Sequence, residues 1–127
     1  MTSIRLADPF ELPEWLGTDR VRWQTAEPLS DGPQVTGVVR ADGAKEQELD
    51  LLAVDEAYPV PVFPESERRA AHQAWQYGEV LLFYIDDRLT AVAPSTRFDA
   101  NLACEVLRRF ARSVGADSSR FTVSITL

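Results

Sequence analysis

A single cysteine, Cys104, and a single histidine, His72, set the first limits on this chain. One thiol cannot close an intrachain disulfide, and it suits a reducing compartment, so a cytoplasmic location is expected. One cysteine and one histidine cannot build a closed zinc site, so no metal is expected. Lysine is nearly absent: Lys45 stands alone beside twelve arginines. That bias fits a GC-rich, bacterial genome and carries no function. Basic residues number 13 against 20 acidic ones, a net charge of −7. General nucleic-acid binding needs clustered basic residues and is not expected. Docking on an anionic membrane surface is not expected either. Long apolar runs are missing too. The longest uncharged one, Val80 to Ile85, is far short of a bilayer span, and the segment from Met1 to Leu12 carries Asp8 and Glu11 where a signal peptide would be apolar. Glycines are few, and the spacing of Gly32, Gly37 and Gly43 makes no phosphate-binding loop. There is no Gly-x-Ser-x-Gly elbow. No cofactor is expected.

What is present is enough apolar residue, 45% of 127, for one core. Residues 1–127 read as one α+β domain, with residues 1–17 as an arm packed on it. In the arm, Asp8, Pro9 and Glu11 have the order of a capped helical turn that Pro13 stops. Phe10, Leu12, Trp15 and Leu16 are expected to anchor it. Arg20 to Thr25 alternates as a half-buried strand. Gln34 to Ala41 and Glu46 to Val54 read as strands around an Asp42-Gly43 turn. Pro64 opens a helix that Gly78 ends. Val80 to Ile85 and Arg88 to Ala93 flank an Asp86-Asp87 turn. Thr96 and Asp99 can start a second helix, whose apolar stripe is Leu102, Ala103, Val106, Leu107, Phe110 and Val114. Phe121 to Leu127 alternates as a last strand.

The order is β-β-β-α-β-β-α-β after a short helical arm. Short connections predict a single, mostly antiparallel sheet of about six strands with two helices on one face. This order is similar to that of type III secretion chaperone-like domains. The likeness is one of topology and carries no function over.

Two segments bear on partners. Val80, Leu82 and Tyr84 point one way along their strand, and Leu81, Phe83 and Ile85 the other, so neither face tolerates water. Either the chain covers both faces itself, or a second copy or partner covers the face bearing Tyr84. The segment from Tyr58 to Pro64 holds Pro59, Pro61 and Pro64, which pre-order an extended chain and bar it from a ladder interior. It reads as a crossover strap or as a recognition surface presenting Tyr58, Val60, Val62 and Phe63.

The chemistry candidates are thin. His72 would titrate usefully as a general base. Cys104 follows closely on a helix start, where the macrodipole lowers a thiol pKa. Catalysis by either needs neighbours that the sequence does not place. Glu46, Glu48 and Asp50 alternate on one strand face and read as a solvated edge. Arg108, Arg109 and Arg112 read as a solvated helix face paired with Glu105.

The pattern therefore favours a non-catalytic protein-interaction module, acting as a homodimer or adaptor. The alternative is a small-molecule-binding protein or simple enzyme, its ligand unspecified. Its pocket would lie between helices and sheet, lined by Trp15, Trp23 and Trp75 with His72 as the polar group.

Overall fold

The computed structural model describes residues 3–29, 32–55, 64–117 and 119–126. The strands are β1 (Ile4–Leu6), β2 (Val21–Thr25), β3 (Gln34–Val35), β4 (Gly37–Ala41), β5 (Lys45–Glu48), β6 (Asp50–Val54), β7 (Leu81–Ile85), β8 (Arg88–Pro94) and β9 (Phe121–Ser124). The helices are α1 (Trp15–Thr18), α2 (Glu65–Gln76) and α3 (Ala100–Ser113). They form two sheets, one ordered β1-β7-β8-β6-β3 and one ordered β5-β4-β2-β9. Both are mixed, because β6 runs parallel to β8 and β2 runs parallel to β9. The expected single, mostly antiparallel sheet is therefore wrong, and with it the topological likeness drawn from the element order.

The reason lies in residues 34–54, a long hairpin that changes sheets part-way. Its arms pair as β3 with β6 in one sheet and as β4 with β5 in the other. One arm turns at Thr36 and Gly37, the other at Leu49. Gly37 lies against the Trp23 indole, where a β-carbon would collide with the ring. Trp23 is fully buried and its Nε1 donates to the Leu49 carbonyl at 2.9 Å. Asp50 Oδ1 accepts from Gly37 N at 3.3 Å, and the carboxylate accepts from Arg88 Nε at 2.7 Å and Nη2 at 3.0 Å. Asp50 is only 1% exposed. It is thus no part of a solvated edge, while Glu46 and Glu48 are exposed as expected. The sequence held two signals of the bend: a glycine inside an alternating strand, and a change after Asp50 from charged alternation to the unbroken apolar run Leu51 to Val54.

The two longer helices cover opposite faces of the five-stranded sheet, not one face. On β7 and β8, Leu82, Leu89, Ala91 and Ala93 share the main core with Ala103, Val106, Leu107 and Phe110 of α3. The intervening Phe83 and Val92, with Val54, pack against Ala71 of α2. Alternate residues of a strand point to opposite faces, so α2 and α3 sandwich β7 and β8. The doubly apolar strand is covered within the chain: Val80, Leu82 and Phe83 are buried. Asp99 caps α3 as expected, its Oδ1 accepting from Leu102 N at 2.8 Å.

The arm departs from expectation in two ways. Its first residues form β1, antiparallel to β7, and Ser3 N donates to Asp86 Oδ1 at 2.8 Å. Leu12 and Leu16 are buried and Trp15 packs on the core, but Phe10 is 96% exposed, because the tight turn Pro9–Glu11 projects it outward. No helix among the described residues is long and apolar enough to cross a membrane.

The Asp50–Arg88 pair gives an asymmetric prediction. Arg88 is 38% exposed and Asp50 is 1% exposed. Removing the arginine strands a buried carboxylate, whereas removing the acid leaves a guanidinium that water can reach. Arg88→Met is expected to lower the unfolding free energy by about 3 kcal/mol and Asp50→Asn by about 1–2 kcal/mol. Urea denaturation of both variants checks the order.

Candidate functional site

The structure does not bring the two chemical candidates together. His72 lies half-buried on α2, and its Nδ1–H donates to the Arg68 carbonyl at 2.8 Å. A carbonyl only accepts, so this bond fixes the tautomer and marks an ordinary helix-surface histidine. Cys104 is exposed on α3, in a groove whose lining does not include His72. No group of three or more metal-ligating side chains exists among the described residues.

Trp23 cannot line the expected tryptophan pocket: it is sealed in the sheet corner. Trp75 lies beneath the Arg109 guanidinium, 3.6 Å from its ring centroid. Tyr84 is half-buried against the main core, with the Arg5 guanidinium 4.2 Å from its ring centroid. It offers no open sheet face. Tyr58, Val60, Val62 and Phe63 lie outside the described residues.

Of the α3 arginines, Arg108 is exposed and Arg109 is not, with 13% of its side chain accessible. Arg109 Nη1 donates to the carbonyls of Trp75 at 2.9 Å and Glu79 at 3.0 Å, and Arg112 Nη2 to that of Gly78 at 3.3 Å. These carbonyls end α2 and lead into β7, where helical partners run out. Two arginines of one helix thus cap the other helix at the end of the sheet. The expectation of a solvated face fails for Arg109 because a stacked guanidinium and an i−4 ion pair share one spacing. Glu105 joins the cluster, accepting from Arg108 at 2.6 Å and Arg109 at 2.9 Å. Hydrogen bonding to Arg108, and then to Arg109, holds the Glu105 carboxyl at about 2, below its ordinary 4.5.

What distinguishes the surface is one sheet edge. Among the described residues four strands are terminal: β1, β3, β5 and β9. β1 spans only three residues and carries Arg5. β3 spans two and follows Pro33. β5 reads Lys-Glu-Gln-Glu. Shortness, proline and charge all discourage a foreign strand from pairing. β9 has four residues and lacks the other two guards: Phe121 to Thr126 is uncharged and free of proline and glycine. Arg120 O accepts from Val21 N at 2.9 Å, Thr126 N donates to Thr25 Oγ1 at 3.1 Å, and Thr126 O accepts from Leu29 N at 2.6 Å. The even-numbered residues therefore bond inward to β2 and its extension. The N–H and C=O groups of Phe121, Val123 and Ile125 face outward.

Two grooves flank this edge. Under α3, a groove of about 400 Å³ is floored by Ala111, Ala116, Phe121 and Val123, with Cys104, Arg108 and Arg112 at its rim. On the outer face of the four-stranded sheet, a groove of about 380 Å³ is lined by Arg20, Arg22, Arg40, Arg120 and Thr122, among others. Sequence reading took the last strand only as an alternating one. Its missing guards were legible, but which strand would be terminal was not.

Comparison with protein-family models, with curated proteins and with solved structures gives no match to this chain.

The arginine cluster predicts a pH dependence. A carboxyl whose folded pKa is depressed stabilises the fold above its unfolded pKa, and that contribution fades as pH falls toward the folded value. Glu105→Gln is expected to lower stability by about 1 kcal/mol at neutral pH. Its deficit against the parent should shrink between pH 4.5 and about 2, the ordinary and folded values of Glu105. Denaturation series across that range measure it.

Proposed function

We propose that this chain is a non-catalytic protein-interaction module whose contact site is the β9 edge. The observation that supports the reading is the outward row of backbone groups at Phe121, Val123 and Ile125, on the one terminal strand among the described residues that carries neither charge nor proline. An extended segment pairing there would gain main-chain hydrogen bonds along β9 and lay alternate side chains in the two flanking grooves, the mode known as strand addition. The partner is another protein, with this chain as the adaptor, or a second copy in a homodimer. A cytoplasmic setting suits the exposed thiol of Cys104 beside that edge.

An enzyme finds less support. His72 is engaged with its own helix and Cys104 has no base in its groove. Tyr58, Val60, Val62 and Phe63 stay a second contact surface proposed from sequence alone.

A photoreactive benzophenone side chain at Thr122, introduced in cells of the source organism, tests the reading. Thr122 is exposed beside the edge. Discrete adducts are expected there and none from the same probe at Glu46 on β5. Val123→Pro should abolish them, because it removes an outward donor while leaving the bonds to β2 intact. Adducts that survive Val123→Pro, or none at Thr122, would overturn the edge as the site.

A further inference from the structure

The outer face of the four-stranded sheet carries charge of the wrong sign for this chain. The protein has a net charge of −7, yet Arg20, Arg22, Arg40 and Arg120 converge on one groove. The register places Arg22 directly across from Arg40 on β4 and beside Thr122 on β9. Like charges in directly opposed positions destabilise a sheet. Arg40 is relieved by Glu46, 2.9 Å away. Arg120 donates one Nη1 hydrogen to the Thr18 carbonyl at 2.8 Å. Arg20 and Arg22 make no ion pair among the described residues. Asp42 is the one acid in the lining, and Asp117 lies in the field of Arg120. The face thus keeps an excess of cationic groups, with Arg20 and Arg22 outside any ion pair, at the border of the β9 edge.

A strand added to β9 would place every second side chain on this face. Its residue opposite Thr122 would stand about 10 Å from Arg22, two strand spacings across the sheet. Thr122 and Ser124 lie between and are short, so a guest carboxylate and the Arg22 guanidinium can meet above them. Arg120 is nearer still, on β9's own line. The other side chains of the guest would enter the groove under α3, whose floor of Ala111, Ala116, Phe121 and Val123 is apolar.

We infer that the occupant of the β9 edge is an extended segment of another protein that alternates acidic and apolar side chains. The acidic ones lie over Arg22 and Arg120, and the apolar ones lie in the groove under α3. The inference rests on the edge being the interaction site and adds what it takes. Charge also disfavours a second copy there. A two-fold axis normal to the sheet would keep the two outer faces on one side and bring Arg22 and Arg120 toward their own equivalents. The second β9 would offer only Thr122 and Ser124, which carry no neutralising charge.

The test uses the full chain and short fluorescent peptides that alternate valine with glutamate, serine or lysine. Binding is read by anisotropy and oligomeric state by light scattering. The glutamate peptide is expected to bind about ten-fold more tightly than the serine peptide, and the lysine peptide not at all. Its affinity should fall as salt is raised. Arg20→Ser with Arg22→Ser should remove most of the preference for the glutamate peptide over the serine peptide, the remainder resting on Arg120, with an unchanged melting temperature. Val123→Pro should remove binding of both. Equal binding of the glutamate and serine peptides, lost in Val123→Pro, would overturn the acidic partner and leave the edge reading intact. A dimer that Val123→Pro makes monomeric, with no peptide bound, would show the second copy as occupant and overturn the inference alone. A monomer that binds none of the peptides would overturn both.

Discussion

The corner where the hairpin of residues 34–54 passes from one sheet to the other holds the rest of the fold in place. Three contacts fix it: Gly37 beneath the Trp23 ring, the indole donor on the Leu49 carbonyl, and the Asp50 carboxylate between Gly37 and Arg88. Each answers a debt created by the bend. Changing sheets breaks the ladder locally, and buried backbone groups left without partners are expensive. The indole and the carboxylate supply partners from side chains instead. Asp50 is the main cause of an Arg88 pKa raised above its usual value, so the arginine stays charged and the corner keeps its counter-ion.

From that corner the two sheets diverge, and the helices follow. The five-stranded sheet is apolar on both sides and takes α3 on one and α2 on the other. The four-stranded sheet is apolar only inward, and its outer face stays in water. Of the two outcomes its pattern allowed, β7 takes the one in which the chain itself packs both faces. A strand without a wet side requires two covering layers, and one chain can provide both when a helix crosses each face.

Much of the local structure was legible because it follows from local rules. The alternation of β2 and of the final strand, the Asp99 cap and the glycine stop after α2 were readable from a few residues each. The pairing of strands was not. β8 lies beside β6 because α2 carries the chain across, and β9 lies beside β2 from the far end of the sequence. Nothing local encodes those neighbours. The roles of Asp50 and Arg109 failed for the same reason. A carboxylate two positions after Glu48 continues a charged face until the strand turns, and the turn depends on Trp23, far back in the sequence. Arg109 has the spacing of a helical ion pair with Glu105, and only the position of α2 reveals that it also caps carbonyls. The edge strand could be recognised as unguarded from composition, yet its being an edge is a property of the whole fold.

The same strand, β2, ties stability to interaction. Its inward residues Val21, Trp23 and Thr25 are buried, and Trp23 anchors the corner. Its outward residue Arg22 faces the groove beside β9, to which β2 is bonded along its length. A guest strand at β9 would therefore meet a template held by the largest fully buried side chain of that sheet. Ordering falls almost wholly on the guest, and a pre-organised template leaves more of the contact energy as affinity. An apolar floor under one side and an excess of arginine under the other would then decide which sequences gain from pairing. Backbone pairing alone accepts any extended chain, so the proposed selectivity for an acidic, alternating segment would have to come from the two grooves.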